Sequence, residues 1–233
     1  MQNLNIHNMK NAIVYGFHFI LVLIVSTLIN NASAQSLSTV QDQDGNTYKT
    51  VKIGAQIWMA ENLRTTKFND GTSIPLVSDK NAWIILSAPA YCWYNNDTLF
   101  KSKYGALYNG YSINTGKLCP AGWHISADVE WTTMVELLGG ENVAGGKMKE
   151  SGTKNWLNPN TGATNESGFN SLPGGTRYGN GLFFSEKSAG SWWTVNKSNS
   201  LNGWYRSMNH ASTTVTRNFI DLTNGFSVRC IKD

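Results

Sequence analysis

The chain has 233 residues, enough to bury a full-sized core as one domain or one domain with an extension. Only 15% of residues are charged, whereas 22 glycines, 9 tryptophans and 9 tyrosines stand beside abundant Asn, Ser and Thr, the make-up of a loop-rich, β-leaning extracellular protein. A formal net charge of +4 gives no case for a nucleic-acid partner, and three cysteines without a C-x-x-C pair give none for a zinc or thioredoxin-type site.

Residues 1–34 carry one charge, Lys10, then an apolar run from Ala12 to Ile29, then Ala32-Ser33-Ala34. Small residues at the two positions a signal peptidase reads predict cleavage after Ala34. A start at Met9 gives a more ordinary signal. The rival reading is an uncleaved anchor, because about 18 apolar residues is near the lower limit for spanning a bilayer. Polar and small residues follow the run where a basic stop would be needed, which favours the signal. No cysteine follows it, so lipid attachment is not expected. Losing Lys10 takes the charge from +4 to +3. The mature chain, 35–233, is then secreted or at the cell surface, with no membrane span.

Thr39–Asp42 and Asn46–Ile53 are β-rich, and Asp44-Gly45 between them predicts a hairpin. Gln56–Met59 follows as a short strand with Trp58 in the core. Residues 67–79 are loop-like, and Asn81–Leu86 is either one helical turn or a strand. Ala90–Trp93 reads as a strand running into the polar Asn95-Asn96-Asp97. Tyr104, Tyr108 and Tyr111 have helical spacing, which fits one buried helix face; an aromatic platform for sugar stacking is the alternative.

After Cys119-Pro120, Gly122–Ile125 reads as a strand and Ser126 as a helix N-cap, with Asp128 and Glu130 suited to the positive end of the helix dipole. Trp131, Met134, Val135 and Leu138 make one apolar face, and Gly139-Gly140 ends the helix, placed at about 126–139. His124, just before it, reads as a structural histidine. A second helix fits Asn142–Lys149. Residues 150–180 read as long ordered loops pinned by Phe169 and Leu172. Strands are expected at Ser191–Val195, Asn202–Met208, Ala211–Asn218 and Phe226–Ile231, the last with Phe226, Val228 and Cys230 on one face.

Reactive chemistry is not apparent. Asp221 and Glu186 are isolated loop acids, no Gly-x-Ser-x-Gly is present, and the glycine-rich 172–181 stretch lacks the lysine and following helix that cradle phosphate. No D-x-D-x-D-G calcium loop occurs, and no cofactor or metal is assigned. Candidate ligand-binding residues are Trp192, Trp193, Trp204, Tyr205, Arg206 and Arg177, because aromatic and arginine side chains beside Asn/Ser/Gly loops recur at recognition surfaces. In a strand, Trp192 and Trp193 point to opposite faces, so one is core and the other is a surface platform or packs under a loop. Arg229 is expected to satisfy buried carbonyls or a carboxylate. The expected function is a non-enzymatic binding module for an unknown extracellular glycan or protein, or a structural envelope protein.

Several stretches resemble one family: Asp44–Gly54, Trp58–Leu63, Tyr91–Asp97, Leu118–His124, Leu172–Arg177 and Gly225–Cys230, in order across 38–233. They are similar to the Fibrobacter succinogenes major paralogous domain of secreted Fibrobacter and Bacteroidota proteins. The resemblance implies a single α+β domain over 35–233, with a β-rich part at 35–117 and a C-type-lectin-like core at 118–233 that looks like formylglycine-generating enzymes. The calcium and sugar triplets of true C-type lectins and the paired cysteines of those enzymes are absent, so neither activity is carried over. The implied fold brings helix and last strand together, which points to a Cys119–Cys230 disulfide with Cys92 as a buried thiol; Cys92–Cys119 is the alternative.

Overall fold

The computed structural model describes residues 36–233; the signal segment read at 1–34 lies outside the described residues. β1 (Ser36–Gln41) and β2 (Thr47–Ile53) form the expected antiparallel hairpin. Its turn is held by the Asp42 carboxylate, which accepts from the backbone N–H of Asp44 and Asn46 and from the Tyr48 hydroxyl. β3 (Gln56–Met59) pairs with β2 and buries Trp58 completely. The open choice at 81–86 falls to a helix: Asp79 caps α1 (Lys80–Ile84) by accepting from Ala82 N at 2.7 Å. β4 (Tyr91–Cys92) is followed by a 3-10 turn, then α2 (Phe100–Tyr104), β5 (Leu107–Asn109) and α3 (Gly110–Ile113).

The three tyrosines therefore do not share a helix. Tyr104 ends α2, Tyr108 lies in β5 and Tyr111 in α3. The break is Gly105, at φ 76°, where a Cβ would lie 2.7 Å from Leu63 O; only glycine permits that close approach.

β6 (Trp123–Ile125) leads into α4 (Asp128–Leu137) and α5 (Glu141–Met148). The cap is Ala127 rather than Ser126. Ser126 is buried and its hydroxyl accepts from Trp131 Nε1 at 2.8 Å, while Glu130 reaches back to Ala127 N at 2.7 Å. Trp131, Met134 and Val135 form the buried face.

The stretch 150–180 is mostly loop, yet it contains β7 (Gly174–Arg177), all four residues of which are buried. Gly-Gly-Thr-Arg has little strand propensity, its two glycines outweighing the threonine, so tertiary contact decides this segment. β8 (Phe183–Glu186), β9 (Ala189–Lys197) and β10 (Asn202–Asn209) follow. β11 occupies Thr216–Asp221, later than expected. Phe226–Ile231 is not one strand but parts of two, β12 (Gly225–Phe226) and β13 (Cys230–Lys232).

A five-stranded antiparallel sheet has the order β1-β2-β3-β13-β6; the other sheet runs β11-β10-β9-β7-β12-β5-β4, with β8 against β7. The final run of chain thus passes from an interior position of one sheet to an interior position of the other, and both sheets combine strands from before and after Cys119. One core gathers Tyr48, Met59, Tyr108, Trp193, Phe226, Val228 and Cys230; the other sets α4 and α5 on Trp58, Phe169, Trp192 and Ile231. Consecutive residues of β3, β9 and β13 alternate between the two cores, as strand geometry requires. Phe226, Val228 and Cys230 do share a core. Cys119 and Cys230 are disulfide-bonded, Cys92 is a buried free thiol, and the described chain is a mixed, sheet-rich α+β domain. Among the described residues no helix is long and apolar enough to cross a membrane.

Candidate functional site

Where β2 and the segment after β3 approach the end of α2 and the 168–172 loop, they leave a cleft of about 580 Å³. Lys49, Glu61, Arg64, Ser102, Lys103 and Asn170 supply its polar lining; Val51, Ala60 and Leu172 supply its apolar wall. The cleft is positioned by Asn62, whose side chain uses its full hydrogen-bonding capacity. Asn62 Oδ1 accepts from Trp192 Nε1 (2.9 Å) and Arg229 Nε (2.7 Å), and its Nδ2 donates to Tyr104 O (2.8 Å) and Ser227 Oγ (3.2 Å). One amide thereby ties together β9, the end of α2 and the β12–β13 run.

Arg229 is fully buried and fulfils the expectation for it. Besides Asn62 it donates to Met59 O, Phe169 O and Asn170 O, and its guanidinium lies 4.4 Å from the Phe169 ring centre. No carboxylate is among these partners. Burial pulls its pKa down to about 9, the cost of taking a cation out of water. Lys149 is handled the same way: fully buried, it donates to Thr161 O, Asn209 O and Ser212 O, and burial lowers its pKa to about 8.

On the cleft rim, Glu61 accepts from Lys49 N (2.9 Å) and from Arg64 Nη1 (3.0 Å), so each of its oxygens is engaged. Arg64 also donates to Thr47 O and rests 4.4 Å from the Tyr48 ring centre. Lys103 lies 4.5 Å from the ring centre of Tyr104.

A family model described as the Fibrobacter succinogenes major domain matches residues 51–232. The chain belongs to this family. No curated protein and no solved structure matches. The matched residues of the Fibrobacter succinogenes major domain span every wall of the cleft except Lys49 and Thr50 in β2.

Five of the six residues singled out from sequence lie on the paired strands β9 and β10, with Trp193 opposite Tyr205 and Trp192 opposite Arg206, and Arg177 lies apart at the end of β7; four of the six are interior. Trp192 and Trp193 do point to opposite faces, but both faces are covered, and their indoles donate to Asn62 Oδ1 and Tyr108 O. Arg177 is buried, donating to Val77 O, Ser78 O, Asp79 O and Gly181 O, with Trp83 and Phe183 on its guanidinium. Arg206 is buried against Asp128 and Thr132. Tyr205 is half-buried beside Trp193 and Phe226. Trp204 alone belongs to a partly exposed aromatic group, with Phe219 at its edge and Arg217 3.5 Å over its ring.

His124 is held on both sides: Nδ1 to Asp233 Oδ1 at 2.6 Å and Nε2 to Glu130 Oε1 at 2.9 Å. Burial alone would lower its pKa, but these carboxylates outweigh it and raise it. Among the described residues no set of three His, Cys, Asp or Glu side chains is placed to hold a metal. Sequence reasoning missed the cleft because its cations come from three separated stretches, none with a motif. The one local signal was the Trp58–Leu63 segment, quoted for its family resemblance, which carries both Glu61 and Asn62.

Proposed function

We propose that this chain is a secreted or cell-surface, non-enzymatic binding module that takes a glycan or protein ligand in the cleft between β2 and the end of α2. The observation that carries this reading is an open concavity built on a floor whose buried polar groups are already paired, leaving Lys49, Lys103 and Ser102 at its rim for a ligand. Preformed, mostly satisfied concavities with a few convergent polar groups are the usual form of ligand sites. The non-enzymatic part is supported by the two residues of greatest chemical potential. His124 has both nitrogens occupied by carboxylates, and the Cys92 thiol is buried and pushed up to about 12.

Export is supported by the apolar 12–29 run and the small residues before Gln35; N-terminal sequencing of the protein recovered outside the cytoplasm should begin at Gln35. A C-type-lectin-like arrangement for 118–233 is supported by the Cys-Pro-x-Gly-Trp start before α4, the Trp-Trp strand and the disulfide that joins the helix approach to the last strand. The decisive test is titration calorimetry against a polysaccharide panel, comparing the protein with Ser102→Trp, which fills the cleft from an exposed helix position. Saturable binding abolished in the folded variant supports the reading; binding indifferent to it removes the cleft as the site.

A structural role in the envelope is the second reading, and one observation favours it. Trp156, Phe169, Trp192 and Trp193, the aromatics that would line a sugar platform after Lys147, are all buried.

A further inference from the structure

The charge of the cleft points to its ligand class, an inference that rests on the binding-module reading. We propose that the cleft takes an anionic polysaccharide, a hydroxyl-rich chain bearing carboxylate or sulfate groups. Three cations line it, Lys49, Arg64 and Lys103, against one carboxylate, Glu61. That carboxylate is already committed at both oxygens, to Lys49 N and Arg64 Nη1. Lys49 and Lys103 have no ion pair among the described residues.

Beneath the floor, Arg229 adds a fourth positive charge. Its partners are backbone carbonyls and the Asn62 amide, which satisfy its N–H groups without cancelling its charge. Glu61 is the carboxylate that acts on it, so four cations share one counter-charge here, and low-dielectric walls focus the excess positive field in the adjoining concavity. The lining of three cations and one carboxylate has a formal charge of +2, in a mature chain of +3 overall.

The lining argues for a saccharide over an acidic peptide. Peptide recognition draws on a deep pocket for an aromatic or aliphatic anchor. Here the apolar wall is confined to Val51, Ala60 and Leu172, while the Ser102 hydroxyl and the Asn170 side-chain amide suit a chain of hydroxyls. Arg64, fixed by Thr47 O and the Tyr48 ring, offers a preoriented guanidinium edge.

The test is affinity electrophoresis and calorimetry of the full chain with polygalacturonate, dextran sulfate, neutral dextran and poly-L-glutamate. The variants are the Lys49→Gln/Lys103→Gln double substitution, Ser102→Trp, and Lys197→Gln as a charge control outside the cleft. Near-UV circular dichroism verifies that each remains folded. The expected result is binding of one of the two anionic polysaccharides, with polygalacturonate and dextran sulfate separating carboxylate from sulfate. It should weaken by about ten- to a hundredfold in the lysine double variant, as two charge-assisted contacts are lost, and stay unchanged in Lys197→Gln. Equal binding of poly-L-glutamate overturns the saccharide assignment. Binding of neutral dextran that Ser102→Trp abolishes and the lysine double variant leaves intact overturns the anionic class while the cleft stands. Binding of none of the probes overturns the anionic class and the binding module together.

Discussion

Asn62 shows how much of this fold depends on single polar side chains. It is 5% exposed and makes four hydrogen bonds, to Trp192, Arg229, Tyr104 and Ser227. Asn62→Ala strands the Trp192 indole N–H and one guanidinium N–H in the interior, and should cost about 3 kcal/mol or more in urea unfolding. Leu at the same position, close in volume, should not rescue it. His124 carries a pH signature. Its raised folded pKa means that the stability it contributes is fully present below the unfolded value near 6.5 and is lost as pH rises through the folded value. Denaturation midpoints of the protein and of His124→Gln from about pH 5 to about pH 9 should therefore converge as pH increases. A constant gap would assign His124 a packing role only. The role of Arg229 was legible in the sequence because a charged residue flanked by Val228, Cys230 and Ile231 has few other options, although it sits between β12 and β13 and not in a strand. Those of Arg177 and Arg206 were not, since both stand beside polar, glycine- and serine-rich sequence that reads as exposed, while the carbonyls and the carboxylate that cover them come from other elements.

Among the elements, β9 separates what periodicity reveals from what it does not. Alternation assigned Trp192 and Trp193 to opposite faces; whether a second face is covered depends on what packs there. Here both are, by α4 on one side and by β5, β12 and Tyr205 on the other. Trp192→Ala and Trp193→Ala should each cost about 3–5 kcal/mol, whereas Trp204→Ala, on a half-buried site over Arg217, should cost closer to 1 kcal/mol by chemical denaturation. Comparable losses at all three positions would contradict this layering. The hairpin and α4 were readable because Asp-Gly and an i, i+3, i+4, i+7 apolar pattern act locally. β7 and the break at Gly105 were not, because there glycine serves the close approach of distant backbone.

For the molecule as a whole, the Cys119–Cys230 bridge closes a separation of 111 residues, joining the start of the β6–α4 unit to the last strand. In the chain-entropy description a loop of that size is worth about 4–5 kcal/mol. Cys119→Ala/Cys230→Ala should lower stability by about that amount while Cys92→Ala, removing a small buried group, changes it far less; equal losses would mean that the bridge adds little. The pairing itself followed from the implied fold. The cationic cleft had no such warning, because its cations are scattered among β2, α2 and the segment between them.

The handover from β12 to β13 has a consequence in time. Each of these strands lies inside its sheet, β12 between β7 and β5, and β13 between β3 and β6. Neither sheet can close until the ribosome has released residue 232, so at 5–20 residues per second a nascent chain spends on the order of tens of seconds without its native centre. Through that interval β3 and β5 each present an open edge to solvent, because β13 and β12 are their partners on that side.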